Sequence, residues 1–342
     1  MSGRLSLRRG EIVSENPLTV VVDGQRRPAW ADAGLLGEMR EGDEVVVNVA
    51  ALDLGLGSGG FDVVHVNLTR GLSGGGGDEH VMKLNYTSLQ HPIEPVERLA
   101  EAGGVRALIP VLVLPLHGHL APAAWAAAQA DPELRLGYLQ TGGGALPGSL
   151  SRDVAELRER GLICGHVTAT PAYGGEQEAL SVPGALDAAA NLLDWDAVLA
   201  GPGPGIIGSE THLGHGGMAA LDTAHAALAL GMPTLLSPRL SGTEARERHQ
   251  GISHHTLTVL ALLLARVEIA VPQGNPEVSA QLSAIAAGRH RLHAAPADLA
   301  GYSATALPAQ TMGRSIEEDP LFFAAPLAAG QVLGAFAAST AG

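Results

Sequence analysis

The sequence predicts an α/β fold, in which a mostly parallel, Rossmann-like layered sheet follows a small N-terminal β-barrel-like domain. Three observations carry this expectation. Short strand-like runs separated by tight turns occupy the first part of the chain, and near Val105 the pattern changes to apolar strands alternating with Ala/Leu-rich helical segments. Nearly every strand of that second part is followed by a loop rich in Gly, His or hydroxyl residues. With 342 residues the chain is longer than one hydrophobic core usually spans. Two units are therefore expected: residues 1–95 as a small β-barrel or sandwich, and residues 96–342 as an α/β domain with a ligand cleft.

In the first unit, strands are read at Leu5–Val13, Leu18–Asp23, Val45–Ala51, Phe61–Asn67 and Val81–Tyr86. Asp23-Gly24 between Val20-Val21-Val22 and Gln25-Arg26 is a hairpin signal, because both central positions of a type I′ turn need positive φ. Glu41-Gly42-Asp43-Glu44 reads as a second turn entering a strand, and Ser73–Asp78 as a flexible glycine loop. Short strands with tight turns and no helical period suit a small closed barrel or sandwich.

In the second unit, Ala107–Leu114 is nearly continuous in apolar residues, as a strand buried on both faces must be. Further strands are expected at Leu134–Gln140, Ile163–Thr168, Ala197–Ala200, Thr234–Ser237 and Val267–Val271. Helices are expected from Pro122 to Ala130, from Ser151 (as N-cap) to Arg160, and over Gly184–Leu193, Met218–Leu230, Ser253–Ala265 and Pro276–Ala287. The tail, Ile316–Thr340, reads as helical with a break near Pro326.

Composition narrows the partners. A net charge of −14, from 21 basic against 35 acidic residues, repels a phosphate backbone, and an aromatic content of 3% leaves few rings for bases to stack on, so nucleic acid is not an expected partner. No membrane partner is expected either, since the apolar run Leu257–Ala265 falls far short of the roughly 20 residues a span needs. The opening Met1-Ser2-Gly3-Arg4-Leu5 has no apolar signal region, and the single cysteine, Cys164, cannot form an intramolecular disulfide; both fit a cytoplasmic protein. Cys164 lies in the apolar stretch Leu162–Gly165 and reads as a small buried hydrophobe. A homo-oligomer stays open.

Candidate chemistry gathers in the loops after the strands. In an open parallel sheet such loops share the carboxyl edge where ligands bind. His117-Gly118-His119, His212-Leu213-Gly214-His215 and His254-His255 place paired imidazoles at short spacing. His117, His119, His212 and His215 are the candidate catalytic residues, as general acids or bases, and also the candidate ligands of a divalent metal cofactor. No H-E-x-x-H helix and no cysteine set accompanies them, so ordinary loop hydrogen bonding is the competing reading. Gly142, Gly143, Gly144, Gly203 and Gly205 could bring backbone amides against an anion, with Ser209 and Thr211 beside them. The spacing Gly203, Gly205, Gly208 fits G-x-G-x-x-G, but prolines interleave it and no acidic partner ends the next strand, which weakens a dinucleotide reading. Arg239, with Arg246 and Arg248 nearby, suits a carboxylate or phosphate on a small ligand, unless salt bridges to Glu244 and Glu247 absorb them. His254 and His255 complete the candidate ligand set. No G-x-S-x-G elbow supports an α/β-hydrolase serine mechanism.

The segments His80–His91, Gly214-His215-Gly216-Gly217, Arg248–His255 and Gly313–Pro320 resemble an uncharacterised bacterial family, a domain of unknown function known mainly from high-GC bacteria, over almost the whole chain. That resemblance implies a cytoplasmic bacterial protein and transfers no catalytic residue. The sequence thus leads to a cytoplasmic enzyme, a hydrolase or transferase, acting on a small anionic metabolite at the carboxyl edge of the sheet. The alternative is a non-catalytic ligand-binding or scaffold protein.

Overall fold

Alternating burial along short valine-rich strands builds the first unit of the computed structural model, which describes residues 4–56, 59–72, 79–99, 108–209 and 211–340. The glycine loop Ser73–Asp78, the opening Met1–Gly3, Val105 and Glu210 lie outside the described residues. Strands β1 (Leu7–Glu15), β2 (Leu18–Val22), β3 (Gln25–Trp30), β4 (Glu44–Asn48) and β5 (Asp62–Asn67) form a closed barrel in the order β1-β2-β3-β5-β4. Helices α1 (Ala33–Leu36) and α2 (Ala50–Asp53) lie in its connections. Ile12, Val20, Val22, Val45, Val47 and Val64 fill the interior.

Asp23 and Gly24 take φ of 50° and 77°, the left-handed backbone that the two-residue turn between Val22 and its partner Gln25 requires. Strand β3 has no apolar alternation because Arg26, Arg27 and Pro28 occupy it; Arg27 instead reaches Asp62 of the parallel neighbour β5 (Nη2 to Oδ1, 3.1 Å) and Asp53 (2.6 Å). Trp30 lies 6.4 Å from Phe61, ring to ring. Burial would raise the Asp43 carboxyl, but bonds from the Arg40 amide, Asn67 and Arg70 outweigh it and hold its pKa below the ordinary value. The strand expected over Val81–Tyr86 is shorter: β6 (Val81–Lys83) pairs with β7 (His91–Ile93) outside the barrel, and positive φ at Leu84 (49°) and Tyr86 (61°) ends it.

The chain divides into two compact units, residues 1–92 and 93–342. The second holds β8 (Val111–Val113), β9 (Leu136–Thr141), β10 (Gly165–Ala169), β11 (Gln177–Ala179), β12 (Ala197–Pro202) and β13 (Thr234–Leu236). A small ribbon of β14 (Leu240–Ser241) and β15 (Gly251–Ile252) follows, then β16 (Glu268–Pro272) and β17 (Arg291–Ala295). Eight of these strands make one sheet in the order β11-β10-β9-β12-β8-β13-β16-β17, with every pairing parallel. The edge strands β11 and β17 are too polar to show an apolar run.

Helices cover both faces. On one, Leu112, Leu136, Leu199 and Leu235 pack under α3 (Leu120–Ala130), α4 (Arg152–Glu159), α9 (Leu299–Ser303) and α10 (Pro320–Thr340). On the other, Val111, Val113, Val198 and Ile269 meet α5 (Val182–Asn191), α6 (Ala219–Ala229), α7 (His254–Leu262) and α8 (Pro276–Ala286). Ser151 caps α4 by accepting from the Val154 amide at 3.1 Å. The Trp195 indole lies over the paired glycines Gly137 and Gly165 of β9 and β10, where any Cβ would run into the ring.

Two expectations are corrected. Cys164 is exposed, because it precedes β10 at the rim of the sheet instead of sitting within it. The tail is one helix with Pro326 inside it, not two segments. That helix, α10, is long and apolar enough by composition to cross a membrane, and 72% of its apolar window is buried inside the protein. Its fit against α3 depends on glycine. A Cβ at Gly330 would overlap the Ala123 carbonyl and come within 2.8 Å of Ala126 Cβ, and one at Gly334 would lie 2.7 Å from Ala130 Cβ. Gln331 donates to the Ala126 carbonyl at 2.9 Å in the same seam.

In an uncrowded helix, replacing glycine by alanine stabilises by up to about 1 kcal/mol. Gly330→Ala is expected to reverse that sign and destabilise by about 1–3 kcal/mol through overpacking, read from the urea midpoint; a stabilised variant would show that α3 and α10 do not meet there.

Candidate functional site

From β8 in the middle of the sheet, the chain runs to β9 on one side and later, after β12, to β13 on the other. The loops after β8, β12 and β13 therefore open at the point where the winding reverses, the usual ligand position of such sheets.

Two of these loops build a histidine cluster. His212 and His215 end the loop after β12, which an antiparallel bridge between Gly208 and His215 closes. His249, His254 and His255 come from the loop after β13 and from the first turn of α7, where Ser253 is the N-cap and accepts from the His255 amide. The His215 and His255 rings stack at 3.7 Å with an interplanar angle of 8°. His254 stands 4.4 Å from His255, 5.4 Å from His215 and 6.1 Å from His212, while His249 stands 4.8 Å and 4.9 Å from His254 and His255. His215 Nε2 lies 2.9 Å from the His212 carbonyl, which can only accept, so the proton sits on Nε2 and Nδ1 keeps its lone pair. That Nδ1 and His254 Nε2 are both buried without a hydrogen-bond partner among the described residues. Burial, together with the neighbouring imidazoles and guanidinium groups, lowers the pKa of His215, His249, His254 and His255; His249 falls to about 3 and His255 to about 2.

Beside the rings lies a buried arginine. Arg239 Nη1 donates to His255 Nδ1 at 3.3 Å, and Nη2 stands 3.8 Å from Glu244. Glu244 is more closely held by Arg246, at 3.0 and 3.1 Å, and by Arg314 at 3.2 Å, and these bonds bring its pKa down to about 2 against burial. Arg314 also reaches Asp319 at 3.2 Å, which accepts from Ser241 Oγ at 2.5 Å and from the Gly242 amide at 2.9 Å. Burial and the charges of Arg246, Arg314 and Arg248 outweigh Glu244 and push Arg239 down to about 10. Arg239 is thus a buried cation whose nearest carboxylate among the described residues is shared with closer partners.

The remaining expected residues lie apart from the cluster or serve the loops. His117 is buried between the Pro202 carbonyl (Nδ1, 3.2 Å) and Ser151 Oγ (Nε2, 2.7 Å), satisfied at both nitrogens; burial lowers its pKa against the pull of Asp153. His119 bonds Ser237 Oγ at 2.8 Å through Nδ1, lies edge-on to Phe322, and leaves Nε2 buried without a partner. Burial, then Arg239, brings its pKa down to about 3. Gly143, Gly144 and Gly203 let two loops touch: Cβ atoms there would overlap the carbonyls of Gly216, Gly203 and Ala145. Gly142 packs on Pro171, and Gly205 is left-handed (φ 74°) with open space around it. The hydroxyls of Ser209 and Thr211 bond each other at 3.0 Å and the Gly214 backbone. Cavities of about 140 and 490 Å³, lined by Cys164 and Trp195 and by Ser303 and Glu317, do not include these histidines.

Sequence reading missed His249 in the cluster, the pairing of Arg314 with Asp319, and its pairing with Glu244 across 70 residues of chain. His249 carried a usable signal, since it stands five and six residues before two other histidines.

Fold and site together define a layered α/β protein with a five-stranded barrel and a histidine–arginine centre at the carboxyl edge of its parallel sheet. Residues 29–330 match the family model described as "Protein of unknown function (DUF3866)", and the chain belongs to that family. Neither the curated proteins nor the solved structures yield a match.

The low imidazole pKa values set a pH response. An unfolded histidine takes up its proton near the ordinary 6.5, whereas His119 and His249 stay neutral in the fold down to about 3. Their contribution is fully present above pH 6.5 and is lost as pH falls toward the folded values. For the wholly buried His119 the loss by pH 5 is about 2 kcal/mol. Glu244 titrates from an ordinary value of 4.5, so the interval between pH 6.5 and 4.5 isolates the histidines. Unfolding free energy is expected to drop across that interval, and less so in His119→Asn; equal values at its two ends would show that these imidazoles are not held neutral.

Proposed function

We propose that this protein is a cytoplasmic enzyme, a hydrolase or transferase, that acts on a small anionic metabolite at the carboxyl edge of its parallel sheet. The observation that carries the reading is Arg239. A guanidinium this deeply buried is costly unless an anion answers it, and its closest carboxylate among the described residues, Glu244 at 3.8 Å, already holds Arg246 and Arg314. A phosphate or carboxylate bound between Arg239 and the imidazoles would supply that counter-charge. His215, His249, His254 and His255 are neutral near pH 7, and an anion bound beside them would raise their lowered pKa values toward the working range that proton acceptance from a substrate or water needs. The cytoplasmic location is supported by a single cysteine, which leaves no intramolecular disulfide to form.

The test is a thermal-shift and calorimetric panel of inorganic phosphate, pyrophosphate, small dicarboxylates and nucleotides, followed by turnover assays on any anion that binds. A ligand at 100 times its Kd stabilises by about 2.7 kcal/mol, or several degrees in a domain of this size. Arg239→Gln is expected to abolish that shift while the ligand-free protein still unfolds cooperatively. Binding without turnover of phosphate or carboxylate esters would favour a ligand-binding protein over an enzyme, and an Arg239→Gln protein that binds as tightly as the parent would overturn the site.

A further inference from the structure

We infer that the histidine cluster is a binding site for one divalent transition-metal ion of the zinc, cobalt or nickel class, with His215 Nδ1 and His254 Nε2 as its core ligands and His255 as the third. The inference deepens the anion-site reading and rests on the same edge of the sheet, but it stands on different atoms.

Three ligating nitrogens, one each from His215, His254 and His255, lie within 4.8 Å of one another. Around zinc, with Zn–N bonds of about 2.0–2.1 Å, tetrahedral nitrogens are roughly 3.4 Å apart, so closure asks for nitrogen movements of the order of an ångström and for His215 and His255 to turn out of their parallel stack, because lone pairs in parallel ring planes do not converge. The same rings carry two buried atoms without hydrogen-bond partners among the described residues, His215 Nδ1 and His254 Nε2. Leaving two such polar atoms unsatisfied costs on the order of 1–3 kcal/mol each, and a single cation between the rings, whose centroids are 5.4 Å apart, would answer both. The His215 ring is also prepared for ligation. Its Nε2–H is held by the His212 carbonyl at 2.9 Å, the outer contact that fixes a metal-binding imidazole in the tautomer whose other nitrogen is bare.

Space is kept open by Gly217. A Cβ there would stand 3.0 Å from His215 Nδ1 and 3.1 Å from His255 Nδ1, so any side chain would crowd the place where those two nitrogens meet. An all-imidazole donor set selects zinc, cobalt, nickel or copper over magnesium and calcium, which prefer oxygen. His255 Nδ1 now accepts from Arg239, so its ligation would release that guanidinium toward an anion. Arg239 and the positive end of α7 both work against a dication, so an anion held by Arg239 is expected to tighten the binding that the imidazoles support alone.

The experiment uses full-length protein purified without an affinity tag, stripped with chelator and titrated with Zn²⁺ or Co²⁺ alone. One ion per chain is expected, with the ligand-field spectrum of nitrogen-coordinated Co²⁺ and a rise in thermal midpoint. His215→Gln and His254→Gln should each weaken binding by more than the roughly 10–100-fold that loss of an outer-shell partner costs. Gly217→Ala should weaken it while all histidines remain, and His293→Ala, remote in sequence and paired with Glu268, should bind as the parent does. Should the histidine variants fail to fold, the Gly217→Ala titration and the Co²⁺ spectrum of the parent decide. Absent binding, or binding unaffected by these changes, overturns the metal site; anions that still require Arg239 in that case leave the proposed function standing. Metal binding with no anion response would do the reverse.

Discussion

Strand direction is the constraint from which the second unit follows. Because every pairing in the eight-stranded sheet is parallel, each strand must return across a face of the sheet before the next begins. Both faces are covered as a result, by α3, α4, α9 and α10 on one side and α5 to α8 on the other. The same direction sends every strand's trailing loop to one edge. Residues as distant in sequence as His215 and His255 meet in a 3.7 Å stack for that reason, with no local motif to bring them together.

The packing reflects an interior short of aromatic rings. With aromatics at 3% of the chain, close approach is obtained by removing side chains: Gly330 and Gly334 admit the alanines of α3, Gly137 and Gly165 admit Trp195, and Gly143, Gly144 and Gly203 bring neighbouring loops together. Glycines that suggest phosphate binding in the sequence are thus accounted for in part by backbone contact. Gly217 differs, since what it leaves open is bordered by imidazole nitrogens.

Much of the architecture was legible. The two-residue turn at Asp23-Gly24, the switch of period after the barrel and the apolar runs of the central strands all appear in the chain because local propensity and burial agree there. The edge strand β17 and the barrel strand β3 were not, since polar side chains and a proline hide them and distant partners such as Asp62 hold them in place. The tail helix was misread at Pro326 because tertiary packing overrides that residue's usual effect. For the site, sequence order was sufficient to bring His212, His215, His254 and His255 to one edge. It could not separate His117, locked between Ser151 and Pro202, from the imidazoles with open nitrogens.

The sparse rings have an optical side. Trp30 is the one tryptophan of the barrel unit, whereas Trp125 and Trp195 belong to the sheet unit. Trp195 sits 5% exposed over two glycines, while Trp30 lies half-buried beside Phe61. Tryptophan fluorescence is therefore divided between the units, one ring against two, and a chain bearing Phe at positions 125 and 195 would show tryptophan emission from the barrel unit alone.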